Sequence, residues 1–440
     1  MYRGRYYDMS QLEVGKGKER KKRKMAGGKK GQNSGKNGKN NEIKQSEVFQ
    51  AFVICEDFGQ TFQPLNLKAP RCLLQVANRE PLGFILDHLI NHCRLQQINL
   101  CYASFGPLYK AFVKRRFSVN NCKINFIESR DFASTGDVLR YLDDQNFIKD
   151  PKGPPFLLIN AATITNVNLK RAYEQHRKMA EKNPYVAMTM IMSKDEKQKG
   201  HFIAHDENNK ILSYVSHQNN AKYGGWELEL ATFKPKVRSR VHLRANLGDT
   251  GLVVCSPSVP AIFSDASNLD LATLSDFVKR MLDDAAIGGQ EVLFSMIEQD
   301  EFAKEICNFD DLSSINAAIF DRQCYPYTPS YFMRGYRQYV AKKKEVFRGD
   351  SVMCSPLAAI SRRCLIGHEC QIRAGARLEL ATIGDKCTIG EDANIVNSIV
   401  MSGATIGTGV TIRDSIIGKD FSLGAYNCSI VSLFNFIDHS

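Results

Sequence analysis

The chain has 440 residues, of which 43% are apolar and 24% charged, enough apolar surface to bury a core and to exclude wholesale disorder. Its length predicts two or three domains, and with no apolar run of about 18 residues and no apolar h-region at the N-terminus, neither a membrane-spanning helix nor a secretory signal is expected. The net charge of +12 is concentrated in residues 1–44, with 14 Lys+Arg against 4 Asp+Glu, so the near-neutral remainder offers no broad nucleic-acid-binding face by charge alone.

Residues 1–46 are rich in Gly, Lys and Asn and nearly devoid of aliphatic runs, and a disordered basic tail is expected there. Its cluster Lys16, Lys18, Arg20, Lys21, Lys22, Arg23 and Lys24 reads as a solvated tail, with a nuclear-localisation signal or a loose RNA contact as the functional alternative. From residue 47 the texture changes. Gln50–Cys55, Ile98–Tyr102, Lys123–Ile127, Phe156–Ile159 and Tyr185–Met192 are short apolar runs of strand length. Between them, Leu82, Ile85, Leu86, Leu89 and Ile90 recur at helical spacing, and residues 136–143 and 168–182 read as helices. Strands alternating with helices predict a mostly parallel sheet covered on both faces. The shorter runs within 198–250 suggest an antiparallel insertion, Gly251–Cys255 returns to the sheet, and a helix begins at Asp276. Cys324-Tyr-Pro-Tyr-Thr-Pro329 is too proline-rich for a helix and marks a connector, closing the first domain near residue 335.

Residues 336–430 follow a different rule. Ile383, Ile389 and Ile395 are six apart, as are Ile406 and Ile412, and Ile417 and Leu423. Glycine follows the aliphatic at Gly367, Gly384, Gly390, Gly407, Gly418 and Gly424. A hexad with one recurrent aliphatic predicts a parallel β-helix, three hexads to a coil and about five coils in all. Residues 431–440 break the period and carry two phenylalanines. An irregular tail is expected there, either capping the last coil or marking an alternative chain end. The 13 cysteines form no CxxC pair, and neighbours such as Cys364/Cys370 and Cys93/Cys101 lack zinc-ligand spacing. They read as reduced thiols of a cytosolic protein.

A βα sheet followed by hexapeptide repeats resembles the sugar-phosphate nucleotidyltransferases, which implies an α/β nucleotidyltransferase-like, Rossmann-like domain and a left-handed parallel β-helix. That chemistry needs a glycine-rich loop after the first strand, a basic residue in it and a metal-binding Asp after a later strand. The matching loop here is Glu56-Asp57-Phe58-Gly59-Gln60-Thr61-Phe62-Gln63-Pro64-Leu65. One glycine remains, two carboxylates stand where phosphates approach, and Thr61 replaces the arginine. The family's Lys-Pro is Arg71-Cys72, and its Gly-Asp is Ala161-Ala162. Alanine cannot ligate Mg²⁺, so no catalytic, cofactor-binding or metal residue is assigned. An active nucleotidyltransferase with a rearranged site is the alternative.

The stretches Gln50-Ala-Phe-Val-Ile, Pro70-Arg-Cys-Leu-Leu, Val76-Ala-Asn, Ser134-Thr-Gly-Asp-Val-Leu-Arg140, Thr163-Ile-Thr-Asn-Val-Asn168, Ala187-Met-Thr-Met-Ile191 and Tyr325-Pro-Tyr-Thr-Pro329 resemble, in order and spacing, the epsilon-subunit family of eukaryotic translation initiation factor 2B. The resemblance implies a cytosolic scaffold or regulatory subunit of the guanine-nucleotide exchange factor for initiation factor 2. Its implied partners are the gamma and other sister subunits and initiation factor 2 itself, with no direct nucleic-acid contact from the folded part and no membrane. The family's C-terminal helical exchange domain is expected to be absent from this chain. An Asn-Phe pair with which the family touches its G-protein partner corresponds to Asn268-Leu269, where leucine keeps an apolar contact without the ring; an ordinary loop at 265–273 is the plain alternative.

Other residues have structural readings beside functional ones. His368, with Glu369 beside it, is the histidine a hexapeptide acyltransferase would use as base, and a surface-facing corner is the plainer account. Ser134 or Thr135 reads as an N-cap, with phosphate binding as the alternative. Trp226 reads as local packing, with an interface anchor as the alternative. Met188, Met190 and Met192 read as core filler on one strand face.

Overall fold

The computed structural model describes residues 49–440 except 60–61, 64, 68, 119–121, 149, 195–199, 216–239, 285–288, 344, 425–428, 432–435 and 438–440. The basic segment 1–46, Thr61 and Trp226 therefore lie outside the described residues.

Among the described residues, the first domain is built on a nine-stranded sheet. Its strands are β1 (Gln50–Ile54), β2 (Gln97–Tyr102), β3 (Lys123–Glu128), β4 (Phe156–Asn160), β6 (Val186–Lys194), β7 (His201–His205), β8 (Ile211–Val215), β9 (His242–Cys255) and β10 (Glu291–Met296), with the short β5 (Thr163–Thr165) and β11 (Ala303–Glu305) forming a separate antiparallel pair. The spatial order is β10-β6-β9-β4-β1-β2-β3. β1, β2, β3 and β4 run parallel, as do β6 and β10. The expected strands are present, with one difference. The runs at 242–243 and 251–255 are the two ends of a single strand, β9, which runs antiparallel to both β4 and β6 in the middle of the sheet. Its upper half pairs with β7, forming the antiparallel insertion. Strands β5, β10 and β11 carry no strong alternation and escape a reading of periodicity.

Side chains alternate across the sheet as the pleat requires. Ala51 and Val53 point into one core, shared with helices α1 (Pro81–Asp87), α2 (Gly106–Phe117), α4 (Leu169–Lys182) and α7 (Phe309–Phe320). Phe52 and Ile54 point into the other, shared with α3 (Thr135–Asp144), α5 (Val259–Ser264) and α6 (Leu274–Asp284). Met188, Met190 and Met192 are wholly buried in this second core, where their unbranched chains fill space between helices. Ser134 caps α3 by accepting a hydrogen bond from Asp137 N–H at 3.1 Å, so the capping role is what the structure shows for that stretch.

The second domain is a parallel β-helix with three faces. One face is a seven-stranded sheet and the others have five strands each. Ile366, Ile383, Val400 and Ile417 stack in register on one face, Ile372, Ile389, Ile406 and Leu423 on the next, and Leu378, Ile395 and Ile412 on the third. The stacking is what fixes glycine at some corners: a Cβ on Gly367 would stand 2.3 Å from Gly384 O of the coil below.

Two expectations are corrected here. Residues 431–440 were expected to leave the repeat as an irregular tail, yet Ser429–Val431 pairs with Thr411–Arg413, and Phe436–Ile437 pairs with Ile416–Ile417. Backbone pairing to an exposed rung needs no hexad, because the hydrogen bonds come from the main chain. His368 is not a surface-facing corner: it is 1% exposed, accepts a hydrogen bond from Asp350 N–H at its Nδ1 at 2.9 Å, and packs on Tyr339.

The β-helix packs against the α/β domain through its seven-stranded face, whose outward column includes Phe347, Leu365, Ile399 and Ile416. Phe320 of α7 stacks with Phe347. A two-residue turn, Ala77-Asn78, with both residues at positive φ, is closed by a Val76–Arg79 bridge and inserts between the domains. Asn78 Nδ2 donates to Ile383 O at 2.7 Å, and Asn316 of α7 joins Ala77 N–H at 2.9 Å to Thr382 Oγ1 at 3.0 Å. The buried Arg79 donates to the carbonyls of Thr328, Pro329 and Tyr331, which fastens the connector to the first domain.

Candidate functional site

In an open sheet with parallel strands, ligands bind outside the carboxyl ends of the strands where the strand order reverses. Here the chain leaves β1 toward β2 and β3 and returns on the other side at β4, so that point lies between β1 and β4. The residues that follow these strands are Cys55, Glu56 and Asp57 after β1, Ala103 and Ser104 after β2, and Ala161 and Ala162 after β4.

Each polar group found there is already engaged by another part of the chain. The Glu56 carboxylate turns toward the end of β2 and accepts from Ala103 N–H at 2.9 Å, Ser104 N–H at 3.0 Å and the Ser104 hydroxyl at 2.9 Å. These amides lead into α2, whose first turn carries no acidic residue of its own, so Glu56 supplies the negative charge that a helix start favours. The Asp57 carboxylate accepts from Gly59 N–H at 3.4 Å and Asn66 Nδ2 at 3.2 Å, and lies 3.8 Å from the Arg71 guanidinium.

Arg71, on a short 3₁₀ turn (Arg71–Leu73), is the centre of the site. The residue is 9% exposed, and its guanidinium donates to Ile306 O at 2.7 Å and to Glu305 Oε1 at 3.3 Å. Asn160, at the end of β4, donates to the same Glu305 oxygen at 2.8 Å and accepts from Ala162 N–H at 2.9 Å. Burial pushes the Glu305 carboxyl above the usual carboxylate range, and the Arg71 charge pulls it back. The next residue, Cys72, and the Tyr109 hydroxyl both reach Cys55 O, at 3.6 and 2.8 Å. Ala161 and Ala162 are buried and offer no oxygen ligand. Among the described residues no group of three His, Cys, Asp or Glu side chains is arranged to hold a metal, and the twelve cysteines among them form no disulfide.

Two members of this network are missing from the sequence motif. Glu305 and Asn160 come from distant segments, joined to Arg71 only by the fold; no spacing in the sequence announces them. Asn268 and Leu269 lie elsewhere, in the turn between α5 and α6. Asn268 is buried and donates to Ile262 O at 3.0 Å, whereas Leu269 is 59% exposed. A separate cavity of about 280 Å³ lies between α7 and the β-helix, lined by Leu312, Ile399 and Ile416 together with Asp310, Ser313 and Asn397.

The fold and the position of this site define an α/β nucleotidyltransferase-like domain joined to a hexapeptide-repeat β-helix. A family model described as the GMPPB C-terminal domain matches residues 343–432, the β-helix itself. Over 335 residues, 74% of this chain, it is 24% identical to translation initiation factor eIF2B subunit epsilon of Schizosaccharomyces pombe, covering 48% of that protein. Over 336 residues it is 25% identical to eIF2B subunit epsilon of Dictyostelium discoideum, covering 46% of it. The chain is thus similar to these epsilon subunits over about three quarters of its own length, and it spans about half the length of the curated relatives it matches.

Proposed function

We propose that this chain is a non-catalytic scaffold subunit of a translation initiation factor 2B assembly, the exchange factor for initiation factor 2, and that nucleotidyl transfer has been lost from its first domain. The observation that carries this reading is the Arg71–Glu305–Asn160 network. It joins the loop after β1 to β4 and β11 across the place where a nucleotide would approach. Arg71 stands beside that place, and its charge is matched by Glu305 and Asp57 instead of by a phosphate. Glu56 and Asp57 add repulsion toward a triphosphate, and Ala161-Ala162 leaves a divalent cation without a carboxylate at the end of β4.

In this reading the two domains act by presenting surfaces. Leu269 is available as an apolar contact for a G-protein partner, while Asn268 serves the turn that holds it. The interdomain bonds of Asn78 and Asn316 keep the presented surfaces in fixed relation. The test has two parts. Purified chain is incubated with nucleoside triphosphates, sugar phosphates and Mg²⁺, and pyrophosphate is measured; turnover would sink the loss of transfer. Native mass spectrometry of complexes captured through the chain then asks for sister subunits of the exchange factor, and their absence would sink the scaffold reading.

A further inference from the structure

The first rung of the β-helix is covered on one face only. There, Val346–Arg348 is paired along its outer edge by the antiparallel strand Val340–Lys343. On the other two faces the first strands, Met353–Cys354 and Ala359–Ile360, pair only with the rung beneath them. Among the described residues nothing pairs with their outer edges, which leaves main-chain donors and acceptors open to another strand.

The interior tells the same story. Cys370, Ala376 and Leu378 of the second rung are at most 1% exposed. Their counterparts one rung up, Val352, Ala358 and Ile360, are only half-buried. At the rim, Met353 is 62% and Leu357 75% exposed. A cleft of about 560 Å³ runs along this edge from Arg348 past Val352 and Met353 to Arg373.

The two charged residues that line the cleft are arginines, Arg348 and Arg373, and the exposed Asp350 of the same rung lies outside it. Arg348 folds over the edge and donates to Val352 O at 2.8 Å. Arg362 and Arg363 of the same rungs find carboxylates, in Glu379 at 3.9 Å and Asp321 at 2.8 Å. Arg348, Arg373 and Arg377 form no ion pair among the described residues, and Arg373 and Arg377 are exposed.

We propose that this end of the β-helix is a docking site for an extended acidic segment of another protein, which adds a strand to the open edge, places apolar side chains over Met353 and Leu357, and sets carboxylates against Arg348 and Arg373. Strand addition of this kind takes affinity from the main chain and specificity from alternate side chains. The arginines argue against two other occupants. The chain's own segment 1–44 is strongly basic, and a second copy stacked end to end would bring arginine against arginine.

The test uses the full chain and three fluorescent peptides of equal length: alternating Val-Asp, alternating Val-Lys, and the Val-Asp peptide with two valines replaced by proline. Fluorescence anisotropy should show the unbroken acidic peptide binding at least about tenfold more tightly than either control. Arg373→Glu and Leu357→Asp, both exposed positions, should each weaken it several-fold with an unchanged circular-dichroism spectrum. Equal binding of the proline-broken peptide would overturn strand addition. Equal binding of the Val-Lys peptide, no binding at all, or self-association through this end in sedimentation would overturn the acidic partner.

Discussion

The guanidinium of Arg71 stands 3.3 Å from the carboxylate of Glu305, although 234 positions separate them in the chain. One residue comes from the turn after the β1 loop and the other from β11, which leads into α7 and so toward the β-helix. The pair joins segments at the carboxyl end of the sheet, beside the ends of β1 and β4.

Removing Arg71 leaves two carboxylates, Asp57 and Glu305, without their cation in a largely buried site. Arg71→Ala is expected to lower stability by about 3–5 kcal/mol. Arg71→Met combined with Glu305→Leu should recover part of that loss, because one of the two carboxylates leaves with the cation while Asp57 stays. Urea denaturation of the single and double variants measures both; equal losses in the two would show that the ion pair is not the source.

Glu56 holds three hydrogen-bond donors at the end of β2. Glu56→Ala is expected to cost about 1–3 kcal/mol, as donors near the start of α2 lose a charged acceptor. On the proposed loss of transfer, neither parent nor variant should release pyrophosphate with Mg²⁺ and nucleotide, since the side chains at positions 161 and 162 supply no metal ligand. A thermal melt and a pyrophosphate assay on the same preparation check the two halves.

Two buried histidines make stability fall in mild acid. His176 sits between Thr189 Oγ1 at 2.8 Å and Ser256 Oγ at 3.0 Å, and His88 between Tyr327 Oη at 3.1 Å and Val167 O at 2.8 Å. Burial lowers both to about 4 from an ordinary 6.5. Between these values the unfolded chain binds a proton that the folded one does not. Their contribution is therefore complete above about pH 6.5 and is lost as pH falls toward 4, on the order of 2–3 kcal/mol for each group. Urea midpoints at pH 7 and pH 5 should differ less in His176→Gln than in the parent.

The domain junction rests on two asparagines. Asn316→Ala leaves Ala77 N–H and Thr382 Oγ1 without their partner and is expected to cost about 1–3 kcal/mol. Amide hydrogen exchange should quicken at residues 76–79 and 382–383 while the central strands β1 and β4 keep their protection. Uniform acceleration across the whole chain would mean that the junction is no separate unit of stability.

Gly367→Ala tests the stacking of the β-helix. The added methyl would meet the main chain of the next coil at 2.3 Å from Gly384 O, and a backbone atom cannot turn aside. A loss of about 1–3 kcal/mol is expected, read as a lowered melting temperature with the α/β domain's protection retained.

Local pattern alone located both domains of the fold. Six-residue spacing from Ile383 onward announced the β-helix, because each rung repeats the same interior position and the pattern needs no distant information. The alternation of strand and helix from Gln50 to Met192 announced the sheet, since apolar runs of strand length report burial directly. Sequence also located the loop at Glu56-Asp57 and the alanines at 161 and 162. What it left open was decided by contacts across long separations. β9 became one antiparallel strand in the middle of the sheet because pairing with β4 and β6 outweighs local composition. Ser429–Val431 and Phe436–Ile437 joined the β-helix through main-chain bonds that no side-chain period records. Asn268 turned inward while Leu269 turned out. Arg71, Glu305 and Asn160 met only because the fold carries β4 and β11 to the end of β1; charge pairing between distant segments leaves no spacing in a sequence, and only the tertiary structure gave Arg71 its buried carboxylate partner.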